Sequence, residues 1–582
     1  MYALGYGEQV VLFCLAMNCW TVAVNRHVLP HCFALLVLSL LFPVGSGMAQ
    51  DSNLPRADQL YQSGKFAEGQ AAYEAVLKAN ATSAPAQAGL VRSLLRQEKV
   101  DQATETATKA VAAQPNSAAL LSALGDVQFR LAQMLEAEMS YVNAKKLDPK
   151  EIWSYLGLVN VYLAYSLYRH AYDQLKRAHD IAPGDIEVQR FWMSTLPRKE
   201  RLAALQAYLA GPHPDDAEDT ASIQRYLDFL KATVDKPIHA CKLVGKVEQT
   251  ETPLEMMLPT PQTITGVGLT VKLNGRGTRL LLDSGAGGIL VTRHVAERAG
   301  LTRLTAIQLG GFGDKGERTG YVAVADRIQV GALEFRDCLV QVTDKGMPGE
   351  DGLIGADVFR MYLIDLDTPG MKLKLSPLPK RADEASIEAS LETTQENSLA
   401  PDEEAETSAG GKTANDMNNS AAASKPPPHL PRDRYVAPEM ANWTRVYRFG
   451  HMLLVPTRVN DSKSVLFLID TGATTNLIST RAGREATKVR SDDTVRLRGL
   501  SGEVKKVYSA DKFTLQFGRY RQQNQDATSF DFSKVNKDVG TEVSGVLGYT
   551  TFKLVEVKID YRDGLVDFVF DPARFPGYDN RK

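Results

Sequence analysis

One short motif occurs twice in this 582-residue chain, and the repetition limits what the chain can fold into more than any other feature. Leu281-Leu282-Asp283-Ser284-Gly285-Ala286 returns 187 positions later (470 − 283) as Leu468-Ile469-Asp470-Thr471-Gly472-Ala473. An apolar strand leads into each aspartate after a turn, Asn274-Gly275 in the first copy and Asn460-Asp461 in the second. Asn-Gly between alternating apolar runs is a strong hairpin signal. Downstream, Gly352-Leu353-Ile354-Gly355 is matched by Gly545-Val546-Leu547-Gly548. Two β-rich lobes of one design are therefore expected, each presenting an aspartate at a strand end. Two carboxylates, one from each lobe, can do acid–base work that neither does alone.

A different period governs the N-terminal third. Pro115, Pro149 and Pro183 are spaced by 34 (149 − 115; 183 − 149), and Ala103, Ala137 and Ala171 keep the same step. So do Ala110, Ala144 and Ala178, and Gly89, Ala123 and Gly157. Small residues at helix contacts, with proline ending every second helix, resemble the tetratricopeptide repeat. Three and a half to four repeats fit, the first helix pair running from Ala57 to Lys78, and residues 201–235 read as closing helices with Asp215-Asp216 as a cap. This module serves either as a spacer or as a groove for a protein partner.

Between the two β regions lies a stretch rich in Ala, Ser, Glu, Thr and Pro, ending near Pro426-Pro427-Pro428, which reads as a flexible linker. Before the repeats, Arg26 and His27 precede the apolar run Cys32–Phe42 and the small residues Gly47-Met48-Ala49. This is the pattern of a secretory signal, with cleavage expected near Ala49–Gln50 and export to the periplasm or exterior of a bacterial cell. An apolar stretch further upstream, from Val10 to Val24, leaves three readings open: a start at Met17, a long leader, or a retained anchor. The division expected is leader 1–49, repeats and closing helices 54–235, first lobe 240–376, linker 377–433 and second lobe 434–577.

The charge balance, 67 basic against 69 acidic residues, excludes the clustered positive surface of a nucleic-acid binder. The nine histidines fit no metal-ligand spacing, and no metal or cofactor is expected. Outside the leader only Cys241 and Cys338 remain, either one disulfide or two buried thiols.

With both motifs aligned, each lobe resembles a retropepsin-like aspartic protease domain. Leu290-Val291-Thr292 matches Leu477-Ile478-Ser479, and the closing strands Tyr362–Asp367 and Val555–Tyr561 correspond. The resemblance implies a multidomain protein, an all-α tetratricopeptide solenoid followed by two all-β acid-protease lobes. It implies that Asp283 and Asp470 share a proton and activate one water against a peptide bond. It assigns Ser284 and Thr471 to bracing the loops against each other, and Gly285 and Gly472 to the turns. Flap candidates are Gly310, Gly311 and Phe312 in the first lobe and Gly499, Leu500 and Ser501 in the second. Gly287-Gly288 makes the first loop look looser than Thr474-Thr475 in the second. Asp314 and Asp357 read as loop charges, and His294 as a helical residue without a role. The lobes pair within one chain, since a linker of about 55 residues spans roughly 40 Å, or else by homodimerisation. The rival function is a non-catalytic, peptide-holding envelope protein with degenerate lobes.

Overall fold

The computed structural model describes residues 53–575 apart from 236–240, 246, 259–263, 312–315, 317, 345–350, 382–431 and 500. The leader and nearly all of the linker lie outside the described residues.

Eleven helices run from Leu54 to Thr233. The first eight form four antiparallel pairs, Leu54–Gln62 with Phe66–Ala79 through Ile152–Ala164 with Tyr168–Ile181. The 34-residue small positions are where helices touch. A Cβ on Gly89 would lie 2.3 Å from the Tyr73 ring, and one on Gly157 would lie 2.1 Å from the Tyr141 ring. Ala103, Ala137, Ala144 and Ala178 are buried. The turn inside each pair holds one residue in left-handed backbone, at Gly64, Glu98, Ala132 and Ser166, with φ between 58° and 70°. These positions also step by 34, but their side chains share nothing, so the pattern is invisible in the residue types. Asp216 caps the last closing helix, Ala217–Thr233, by accepting the Asp219 N–H at 2.8 Å.

Each β lobe is built around one sheet. In the first, Gly266–Leu273 and Arg276–Asp283 pair antiparallel through the Asn274-Gly275 hairpin, and Gly352–Gly355 runs parallel to Leu281–Asp283. In the second, Met452–Val459 pairs with Ser464–Ile469, and Gly545–Leu547 runs parallel to Phe467–Ile469. Asn274 and Asn460 turn with φ of 46° and 53°. Each side-chain carbonyl accepts a backbone N–H from a strand further along its own lobe, that of Arg327 or Thr514.

A six-stranded sheet joins the lobes. Tyr362–Asp367 of the first lobe lies antiparallel to Glu556–Asp560 of the second, with Ile364 opposite Ile559 and Leu366 opposite Val557. The strands Lys372–Pro377 and Thr250–Pro253 extend it on one side, and Leu565–Val569 and Thr444–Arg445 on the other. Alternate residues Ile364, Leu366, Val557 and Ile559 are buried in a core continuous with both lobes. Burying that face in a shared sheet is what brings the two lobes together within one chain.

The repeats are packed against the lobes. Phe129, Met134, Leu158 and Val161 form one apolar cluster with Phe449, Leu454, Leu466 and Val543 of the second lobe. The Thr541 hydroxyl donates to the Phe129 carbonyl at 2.6 Å, and Lys537 reaches Asp216 and Glu218. Phe229 of the last closing helix joins a first-lobe cluster with Leu281, Ile307 and Leu353. The face made by the first helix of each pair is thus covered by the second lobe at Lys537–Gly540. Between them lies a half-open cleft of about 260 Å³ lined by Arg92, Arg96 and Arg190 against Asp126, Glu187 and Asp219. Cys241 and Cys338 form a disulfide, which closes the first lobe's edge strand Lys242–Val244 onto Leu333–Thr343.

Candidate active site

Each aspartate ends a strand held on both sides, so its position is set by backbone pairing before any side chain acts. Beyond it the chain leaves the sheet, and the loop N–H groups turn back onto the carboxyl. Gly285 N–H donates to Asp283 Oδ1 at 2.9 Å; Gly472 and Ala473 N–H donate to Asp470 Oδ1 at 2.9 and 3.0 Å.

The two loops are locked by four reciprocal bonds. Thr471 Oγ1 accepts from Ser284 N–H at 3.0 Å and donates to the Leu282 carbonyl at 2.7 Å. Ser284 Oγ accepts from Thr471 N–H at 3.1 Å and donates to the Ile469 carbonyl at 2.9 Å. Both hydroxyls are buried. A hydroxyl is needed at each position because it must accept and donate at once, which neither a methyl nor a carboxylate does. Serine and threonine do this equally, so the first copy's Asp-Ser-Gly is no sign of decay.

Gly285 and Gly472 lie in the expected turns, and the opposite lobe supplies a further reason for them. Neither has left-handed backbone. A Cβ on Gly285 would sit 2.6 Å from Cγ of Asp470, and one on Gly472 would sit 2.5 Å from Cγ of Asp283. Each glycine clears the space for the opposite lobe's carboxyl.

The carboxyls are hydrogen-bonded to each other, and both are held above the usual carboxylate range. For Asp283 the causes are burial, then the negative charge of Asp470; its hydrogen bond to Asp470 stabilises the protonated form. For Asp470 burial raises the value, while that same bond and the Ala473 and Gly472 N–H groups favour the anion. The pair therefore shares one proton, and its titration belongs to the pair rather than to either carboxyl.

The Gly-apolar-apolar-Gly strand packs under each loop, as Gly355 N–H donating to the Gly288 carbonyl at 2.6 Å illustrates. Two expectations change here. Asp357 is not a loop charge: it is buried and accepts the Gly288 N–H at 2.9 Å. Its counterpart in the second motif, Thr550, accepts the Asn476 N–H at 3.1 Å. The Gly287-Gly288 loop is not loose either, since a Cβ on Gly287 would lie 2.8 Å from Nδ1 of His451, a second-lobe residue. Asn476 adds a further brace, its Oδ1 accepting from Gly548 N–H and the Thr551 hydroxyl, both at 2.9 Å. Repetition could have flagged Asp357 and Thr550, which fill the same place in the two motifs; nothing in the sequence flagged His451. His294 sits in the short helix Arg293–Arg298 after the loop.

Of the flap candidates, Phe312 and Leu500 lie outside the described residues, as does Asp314. Gly310 and Gly311 follow the strand Thr302–Leu309, which pairs with Arg318–Val330. Gly499 and Ser501 lie at a small hairpin, Arg498–Gly499 with Gly502–Glu503. The Gly311 N–H donates to the buried Ser501 hydroxyl at 3.0 Å, so candidate segments from the two lobes meet.

Both β lobes match a model of the aspartyl protease family. The matched residues are 269–358 and 455–551, one complete aspartate motif in each, and a tetratricopeptide repeat model matches 60–127. The aspartyl protease match thus spans both strands that carry Asp283 and Asp470 and both glycine-bounded strands beneath them. Among solved structures, the chain is similar to an aspartic proteinase from Irpex lacteus (11% identity, 56% of this chain and 99% of that one, TM-score 0.32). It is also similar to a thermophilic tetratricopeptide repeat protein of Thermus thermophilus (22% identity, 30% of this chain and 99% of that one, TM-score 0.24). No curated protein sequence matches the chain.

Proposed function

We propose that the protein is an aspartic endopeptidase whose dyad is Asp283 and Asp470, with the repeats recruiting substrate or a partner protein. The observation that carries this reading is the pair of hydrogen-bonded carboxyls, raised together and fixed by the Ser284–Thr471 lock. A structural aspartate pair would gain nothing from such a lock, because burying two carboxyls together costs free energy.

The chemistry follows from one shared proton, with Asp283 taking the part of the acid and Asp470 that of the carboxylate. Asp470, as the anion, takes a proton from a water held between the carboxyls. The water oxygen attacks the peptide carbonyl carbon while Asp283 gives its proton to the carbonyl oxygen. The resulting gem-diol collapses as its hydroxyl proton returns to a carboxylate and the leaving nitrogen is protonated by Asp470. That hydroxyl proton passes to Asp283, the one carboxylate then present, so both carboxyls end in their starting states and no cofactor is required. An extended peptide lying between the lobes suits this attack, with Gly311 and Ser501 closing over it to exclude water.

Disulfide pairing of Cys241 with Cys338 supports residence in an oxidising compartment, in keeping with export directed by the leader. The test is cleavage of a broad peptide pool by the chain from Gln50, read by mass spectrometry from about pH 3 to about pH 8, the span over which a carboxyl dyad titrates. Cleavage is the expected result. A folded chain that cuts nothing across that range contradicts the reading and favours a binding role.

A further inference from the structure

We propose that His451, supplied by the second lobe, is a positioning residue for the first lobe's aspartate loop. In this role it fixes the carbonyl of Gly285, the residue whose N–H donates to the Asp283 carboxyl. The inference rests on the endopeptidase reading of the dyad and adds a part to it.

The geometry is that of one residue, Gly285, held at both of its backbone groups. Nε2 of His451 lies 3.1 Å from the Gly285 carbonyl oxygen. A carbonyl only accepts, so Nε2 carries the proton. The N–H of that same residue donates to Asp283 Oδ1 at 2.9 Å, a bond that favours the anion. Turning Gly285 to lose the imidazole would also shift that N–H relative to the carboxyl. Gly287 makes room for the arrangement, because a Cβ there would press on the imidazole at 2.8 Å. Gly287 is not at positive φ, so the ring and not the backbone explains the glycine.

The imidazole is itself fixed. It is buried, at the tip of the hairpin formed by Tyr447–Phe449 and Met452–Val459, where Gly450 turns with φ 63°. Arg448 ties that hairpin down: its Nε donates to the Gly450 carbonyl at 2.9 Å and its Nη1 to the Tyr561 carbonyl at 2.8 Å and the Tyr168 hydroxyl at 3.0 Å. Tyr168 opens the last repeat's second helix, so the repeats hold the same hairpin that holds the loop. Burial keeps the ring below the usual histidine range; Asp357 opposes this, and Arg448 adds to it. Arg360 and Tyr561 stand beyond Asp357 and Arg448 in the same buried group. With its proton on Nε2 the ring donates to the Gly285 carbonyl whether it is neutral or protonated. Among the described residues the second lobe's loop has no imidazole counterpart, so the two aspartates are supported unequally.

The experiment compares wild type with His451→Leu, His451→Gln and Gly287→Ala, each checked by thermal melting. His451→Leu removes the donor; it is expected to lower kcat about tenfold with KM within about twofold and to move the alkaline limb of kcat/KM up by roughly half a pH unit. The sign follows from losing a donor that favours the Asp283 anion, so its proton is held to higher pH. His451→Gln keeps an N–H within reach and is expected to restore most of kcat. Gly287→Ala should reproduce the shift by displacing the ring, and the double variant Gly287→Ala with His451→Leu should be no worse than the poorer single one. A carboxyl carbon-13 NMR titration of Asp283 reads the same shift without turnover, which separates this inference from the peptidase reading. If Asp283 in His451→Leu titrates as in wild type, or if Gly287→Ala changes nothing, the inference is overturned. A wild type that cleaves no peptide overturns the peptidase reading instead, while the titration still decides the role of His451.

Discussion

Replacing Thr471 by valine is the sharpest single perturbation of the lock between the lobes. Valine matches threonine in shape, so no cavity opens. The lost hydroxyl leaves two buried groups without partners, the Ser284 N–H and the Leu282 carbonyl. An orphaned buried group costs about 1–3 kcal/mol, so Thr471→Val should destabilise the chain by about 2–6 kcal/mol. The effect on turnover is separate. The lock sets where Asp283 and Asp470 stand relative to one water, and a displacement of about 1 Å costs on the order of 100-fold in rate. Thr471→Ser keeps both bonds and loses one methyl, for a cost of about 1 kcal/mol and a nearly normal kcat. Urea unfolding gives the first quantity and peptide cleavage at saturating substrate the second. A Thr471→Val chain with an unchanged unfolding midpoint and a kcat within twofold of wild type would refute the claim that these four bonds place the dyad.

Further outcomes are expected elsewhere in the molecule. Replacing Cys241 and Cys338 together by serine releases a loop of 97 residues and should cost about 4.7 kcal/mol on the chain-entropy model, measured by urea unfolding with and without reductant. Phe449→Ala should cost about 3–4 kcal/mol although Phe449 lies on the outside of the second lobe's own sheet, because the repeats bury it against Phe129. Burial, then the charge of Glu556, pushes the Asp365 carboxyl up to about 6 from an ordinary value of 3.8. Folding therefore favours its protonated form: this group's contribution is fully present below about pH 4 and is lost as pH rises to about 6. Asp365→Asn should flatten that decline and raise stability at pH 7 by about 1 kcal/mol, a figure reduced for solvent screening at a partly exposed group, as read from melting temperatures at both pH values.

The two aspartate loops were legible because pairing two carboxyls and bracing their loops require the same residue types in both lobes. Duplication turned a common tripeptide into a constellation, and the glycine-bounded strands gave the register. The repeat period was legible for a related reason, since close helix contacts at Gly89, Gly157 and Tyr141 demand small residues at a constant step. What escaped depended on contacts between distant segments. The left-handed turns at Glu98, Ala132 and Ser166 recur every 34 residues, but helix geometry imposes them on unrelated side chains. The sheet shared by Tyr362–Asp367 and Glu556–Asp560 uses alternation that any half-buried strand shows, so its partner could not be read off. Asp357 looked like a surface charge because nothing local says that the Gly288 N–H needs an acceptor. His451 lies 166 residues from the carbonyl it holds. The seam between repeats and lobes was equally hidden, since Phe449 and Phe129 each read as ordinary core residues of their own unit.

The central claim is that one dyad is assembled from the two lobes of one chain. It is tested most directly by measuring peptide cleavage for wild type, Asp283→Asn and Asp470→Asn side by side at the optimum pH of the wild type. The account predicts that each single substitution abolishes turnover while leaving the fold intact by circular dichroism. Full activity retained by either variant would contradict it, because the active site would then be built from two copies of one lobe.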